Sequence, residues 1–160
     1  MTGRAAYRTG AVAVMACLLA ILPACRHTVL YHHFEHVPDE GWSRTDTLVF
    51  CTDTLRQGST LQPTVTLRVT EQLRHQAIWL IADLCQPDST LPLRSDTVLL
   101  QLTAANGHDY GNGLHLHEHS VGLQPISISQ DSVLCIRLRH YLCKERVPGI
   151  SDVGLCLERP

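Results

Sequence analysis

The spacings by which many enzymes and nucleic-acid binders announce themselves are missing from this sequence. Its 160 residues contain no G-x-S-x-G nucleophile elbow, no glycine-rich phosphate loop and no C-x-x-C pair. Serine-based acyl transfer, nucleotide binding, thioredoxin-like redox chemistry and zinc-ribbon chemistry therefore find no support. Cations are sparse as well, with 13 Lys+Arg against 15 Asp+Glu. Arg137, Arg139, Lys144 and Arg146 form the one basic grouping. On a strand-rich chain that pattern is a solvated face, so nucleic acid is not an expected partner. Sustained helical periodicity, internal repeats and low-complexity tracts are absent too, while the 44% apolar and 18% charged content is that of an ordinary globular chain.

What is present starts at the N-terminus. Arg4 and Arg8 precede an apolar run over residues 11–22, which closes on Leu22-Pro23-Ala24-Cys25. A dozen apolar residues cannot span a bilayer as a helix, which takes roughly 20. Basic start, short apolar run and Leu-x-Ala-Cys ending describe a signal peptide over 1–24 with a lipobox, cut so that Cys25 becomes an acylated first residue. A cut before Cys17 is the competing reading, but it strands the apolar residues 18–22 on the mature chain. With Arg4 and Arg8 removed, 11 basic residues face 15 acidic ones, a formal charge of −4. Several acyl chains at about 0.8 kcal/mol per buried methylene hold a protein on a membrane stably without inserting it. Arg26 and His27 follow the cysteine, with no Asp to argue inner-membrane retention, so the expected location is the outer membrane, facing the periplasm. The partner implied directly is the membrane, through the lipid.

Beyond Cys25 the apolar residues fall in short alternating runs separated by turn residues, which predicts an all-β fold. Nine strands are expected, over 29–34, 47–51, 64–70, 77–84, 97–103, 114–119, 126–129, 133–142 and 153–158. Val65, Leu67 and Val69 alternate with Thr66, Arg68 and Thr70, and Leu134, Ile136 and Leu138 alternate with Cys135, Arg137 and Arg139, so each strand shows one apolar face. Residues 77–82 are apolar at every position, the expectation for a central strand covered on both sides, with Trp79 in the core and Trp42 plugging one end. This patterning favours a single β-sandwich of jelly-roll or immunoglobulin-like kind over 38–160, preceded by a lipidated tether over 25–37.

Several patches resemble the gliding-motility lipoprotein GldH family of the Bacteroidetes. Trp42, Asp46 and Phe50 resemble its W…D…F opening, Leu67-Arg68-Val69-Thr70 with Trp79-Leu80 resemble a strand, polar hinge and second strand, and Asp96-Thr97 begins the next strand. The stretch Gly107-His108-Asp109-Tyr110-Gly111-Asn112-Gly113 is similar to a glycine-spaced aromatic loop. Pro148-Gly149-Ile150-Ser151-Asp152-Val153-Gly154-Leu155 is similar to the family's closing P-G-I-x-D-V-G-L. The chain departs from the family at Ser132-Val133, where Gly-Tyr is usual, at Tyr141-Leu142, where Met-Arg is usual, and in the hinge at Leu73-Arg74-His75-Gln76. The resemblance implies a non-catalytic accessory lipoprotein working with other envelope proteins of the gliding and secretion machinery. Asp109, Tyr110, Gly111, Asn112 and Gly113, with Pro148, Gly149 and Asp152, are the loops expected to meet partners.

Two constellations carry chemistry of their own. His115, His117 and His119 alternate, so on one strand they would share a face and could offer imidazoles to a metal. Alternate strand positions lie about 6.6 Å apart, however, and three in line rarely reach one ion without a bend. A solvated histidine-rich edge is the preferred reading, with no cofactor expected. A metal- or carbohydrate-binding sandwich using residues 115–119 is the alternative. Beyond Cys25, the cysteines Cys51, Cys85, Cys135, Cys143 and Cys156 are odd in number in a compartment that oxidises thiols. A Cys135–Cys156 bridge between the two C-terminal strands is one reading, and buried reduced cysteines acting as small apolar residues are the other.

Overall fold

The computed structural model describes residues 28–113 and 115–160. The expected leader, Cys25 and Leu114 lie outside the described residues. Those described fold as β-strands and connecting turns, with no helix among them. The strands are β1 (Thr28–His36), β2 (Trp42–Ser43), β3 (Leu48–Cys51), β4 (Thr60–Val69), β5 (Ala77–Cys85), β6 (Arg94–Gln101), β7 (His117–Gly122), β8 (Ile126–Ser127), β9 (Cys135–His140), β10 (Arg146–Val147) and β11 (Ile150–Arg159). Nine of them match expected strands in place, with shifted ends. The short β2 and β10 have too few residues to show any period. The tether expected over 25–37 gives way at Thr28 to β1, which pairs with β11 as far as His36.

Two antiparallel sheets build the sandwich. One runs β1-β11-β4-β7 with β8 paired to β4, and the other runs β3-β9-β5-β6. Period-two burial explains why they face each other. In β4, Leu61, Pro63, Val65, Leu67 and Val69 are buried while the residues that alternate with them are only partly covered. Val153, Leu155 and Leu157 of β11 are buried as well, and they pack in one core with Ile78, Leu80, Ile136, Leu138 and Phe50 of the second sheet. β6 approaches β7 along one side, and on the other the His33 ring meets Phe50 edge-on at 6.3 Å. The β2–β10 ladder closes one end, where Trp42 is fully buried, stands edge-on to His140 and donates from Nε1 to the Asp46 carbonyl at 3.1 Å. That contact gives the Trp42, Asp46 and Phe50 patch its physical sense as an end plug leading into the core.

Three expectations are corrected. First, β5 is apolar at every early position but is not covered twice. Ile78, Leu80 and Ala82 face the core, whereas Trp79 is 44% exposed on the outer face beside Tyr141, whose N–H donates to the Trp79 carbonyl. A two-layer sandwich has no third layer to cover that face. Second, Cys135 bonds to Cys51, not to Cys156, which remains a free thiol with Cys85 and Cys143. β9 lies between β3 and β5 and places Cys135 directly opposite Cys51, while Cys156 sits on β11 in the other sheet. The third correction concerns the histidine strand.

Candidate functional site

All the long turns that carry the expected interaction residues leave the same end of the sandwich, beyond His36, Val69, Gln101, His140 and the start of β7 and β11. The strand at 114–119 begins only at His117. Gly113 sits at φ 137°, where a side chain would run into the Leu116 carbonyl, so the chain doubles back there. His115 consequently stands exposed outside the strand, and the single face expected of three histidines holds only His117 and His119.

Those two converge on Asp109. His119 Nε2 lies 3.3 Å from Asp109 Oδ1, and His117 Nδ1 approaches Oδ2 at 2.8 Å with an alignment too poor for a hydrogen bond. Asp109 is held in place by its backbone bridge to Thr103 and by accepting the Gly111 N–H at 2.7 Å. Gly111 lies so close to the His119 ring that an added Cβ would come within 2.5 Å of Nε2. Loop and strand are further tied by reciprocal backbone hydrogen bonds between Asn112 and Glu118. The loop over 109–113 is thus a lid packed on two histidines, with Tyr110 left 55% exposed on its outside.

A cavity of about 100 Å³ lies beneath, lined by Glu71, His75, Asp109, His117 and His119 among others. His119 is almost completely buried and its Nδ1 has no partner. Burial holds its pKa below the ordinary histidine value and His117 adds to the fall, against an opposing pull from Asp109. His75 is lowered by burial and by Lys144. Among the described residues no group of three His, Cys, Asp or Glu is arranged to hold a metal ion.

The second expected loop joins the same end from the other side. Pro148 and Gly149 turn between β10 and β11, and the Gly149 carbonyl accepts from Thr70 N–H at 2.9 Å. Gly149 needs its φ of 86°, and any Cβ there would strike the backbone of Gln72 and Leu73. Asp152 accepts from Ser151 Oγ at 2.7 Å and lies 3.2 Å from His36 Nδ1. The structure therefore brings the two loops to either side of the turn over 70–76. Sequence reasoning had treated His75 as part of a hinge and had not joined it to the histidine strand. It also missed Trp79 and Tyr141 as exposed aromatics.

The family model of the GldH lipoproteins matches residues 29–157. The chain belongs to the GldH lipoprotein family. It is accordingly a gliding-motility-associated lipoprotein, held at a membrane by lipid. The match spans both loops, the lid histidines and the Trp42 plug, so this GldH lipoprotein carries its family's region through nearly all the described residues. No curated protein matches it. Among solved structures, a CBM4 structure is similar at 10% identity and a TM-score of 0.39, covering 84% of this chain and 78% of that one. Infectious bursal disease virus Gx strain aligns at 13% identity and 0.35, over 84% of this chain and 32% of that one. Dimeric latent PorU from Porphyromonas gingivalis aligns at 9% and 0.35, over 86% and 14%. These likenesses are loose.

Proposed function

We propose that this GldH lipoprotein is a non-catalytic accessory or assembly module, anchored through acylated Cys25 in the outer membrane and facing the periplasm, which presents one end of its sandwich to other envelope proteins of the gliding and secretion machinery. The observation that carries the proposal is the convergence of the loops over 109–113 and 148–152 at one end, both braced by backbone hydrogen bonds and glycine contacts. Braced loops lose little entropy on docking, which favours protein recognition. The cavity beneath the first of them, at about 100 Å³, is well under the volume that small-molecule sites occupy, a few hundred Å³ or more. The Cys51–Cys135 disulfide suits an oxidising compartment outside the cytoplasm. Crosslinking from positions 110 and 148 in native envelopes, read by mass spectrometry, should return envelope proteins of that machinery. Crosslinks confined to the protein itself would sink the module. Fractionation tests the location, since the parent should travel with outer-membrane markers and Cys25→Ser should not.

A second reading rests on a different face. Trp79 and Tyr141, exposed by 44% and 59%, are joined by a backbone hydrogen bond at the edge of the second sheet, and exposed aromatics are the residues that stack on sugar rings. Retention on insoluble polysaccharide that vanishes in Trp79→Ala would favour carbohydrate binding there. A carbohydrate or metal held by the strand over 115–119 has less support, because His115 stands apart from His117 and His119.

A further inference from the structure

The end of the sandwich opposite the loops points to a use of its own. β1 begins at Thr28, opposite Arg159 at the end of β11. Cys25 is only three residues before Thr28, so at most about 11 Å of chain separates the acylated residue from the folded edge. The headgroup layer on one side of a bilayer is itself roughly 5–8 Å deep. A connection that short keeps this edge of the domain within about 11 Å of the acylated residue.

The surface at that end matches what would meet it. A bulge between Val29 and Tyr31 leaves Leu30 out of the ladder with β11, and Val29 and Leu30 are 51% and 40% exposed. Two open grooves of about 520 and 360 Å³ lie at this end, both walled by Arg56 and Arg159 and the smaller also by Leu30. Arg159 is steadied by donating to Ser59 Oγ at 2.9 Å. Asp53 lines the smaller groove, so the end carries both signs of charge at close range, as a zwitterionic phospholipid headgroup does.

We infer that the end formed by Thr28, Leu30, Arg56 and Arg159 lies flat on the lipid surface, with the two guanidiniums on headgroup phosphates and Asp53 beside the ammonium groups of phosphatidylethanolamine. This rests on the acylation of Cys25 proposed above. It orients the whole molecule. The ten residues of β4 rise about 3.3 Å each, so the histidine-capped loops stand roughly 30 Å above the leaflet, turned toward the periplasm.

The experiment compares amide hydrogen exchange of the full lipidated protein in phosphatidylethanolamine–phosphatidylglycerol vesicles with that of the Cys25→Ser protein in solution, after intact mass has established the acyl groups. Slower exchange is expected over 28–31 and 52–60 and no change over 104–113. Added salt and the double variant Arg56→Glu, Arg159→Glu should both erode the slowing over 52–60, while Arg146→Glu, exposed at the far end, should leave it intact. An acylated protein with unaltered exchange over 52–60, or with protection at the loops instead, overturns the orientation alone. A protein whose mass carries no acyl group overturns the anchor and the orientation together.

Discussion

Where β3 ends and β9 begins, Cys51 and Cys135 tie two strands covalently across a sequence separation of 84 residues. At the opposite end, where β9 runs out, there is no covalent tie among the described residues. Order there comes from a buried indole, from glycines packed on rings and backbone, and from His140 and His119 kept nearly free of solvent. One end resists by restricting the unfolded chain, and the other by desolvated groups whose charge state matters. The contrast teaches that the loop end is the chemically responsive one. The disulfide end is held by a covalent tie instead.

The largest effect should come from breaking the covalent end. Cys51→Ser with Cys135→Ser is expected to lower stability by about 4.5 kcal/mol on loop-closure entropy for a loop of this length, read as a shift in the denaturant midpoint. Trp42→Ala should follow closely at about 4 kcal/mol, because it removes a fully buried indole and leaves the Asp46 carbonyl without its donor. If the single tryptophan change destabilised by less than about 0.5 kcal/mol, the plug would be ornamental, since that is the range of ordinary surface substitutions.

pH sharpens the comparison. His119 and His140 are held below the ordinary value of 6.5 mainly by burial, His140 despite the hydrogen bond its Nε2 shares with the Trp42 carbonyl. The unfolded chain therefore takes up protons first as pH falls through about 6.5. Stability is full above that pH and declines below it, with a slope approaching about 1.4 kcal/mol per pH unit for each histidine that stays neutral in the fold. Denaturant midpoints at pH 8 and pH 5.5 should differ in that direction, and His119→Gln should flatten the profile. A parent whose midpoint is level over this range would remove the distinction between the two ends. The smallest expected effect is Arg68→Ala. Its guanidinium lies 3.9 Å over the Phe34 ring and reaches Glu118 at 2.7 Å, but both charged side chains are more than a third exposed. A loss under about 1 kcal/mol is expected, falling further in salt.

Much of the architecture is legible in the sequence. Alternation in β4 and β9 named the inward residues correctly, and the turn at Pro148-Gly149 announced itself through residue types that fix or free φ. The site was legible only in pieces. Asp109 and the histidine strand were both singled out, and the sequence placed them near one another, yet nothing in it showed that Asp109 would meet two histidines while His115 turned away. That outcome hangs on the doubled-back chain at Gly113. Trp79 misled for a related reason, since an apolar run records hydrophobicity and not how many layers will cover it.

Side-chain alternation is a property of any extended chain, so strands, inward faces and the expected lipid-bearing Cys25 could be argued from the order of residues alone. Which cysteine faces Cys135, which histidines close on Asp109 and which end of the sandwich holds Arg56 with Arg159 were decided by strand order and register. These bring together residues that are far apart in the chain, and no local pattern carries that information.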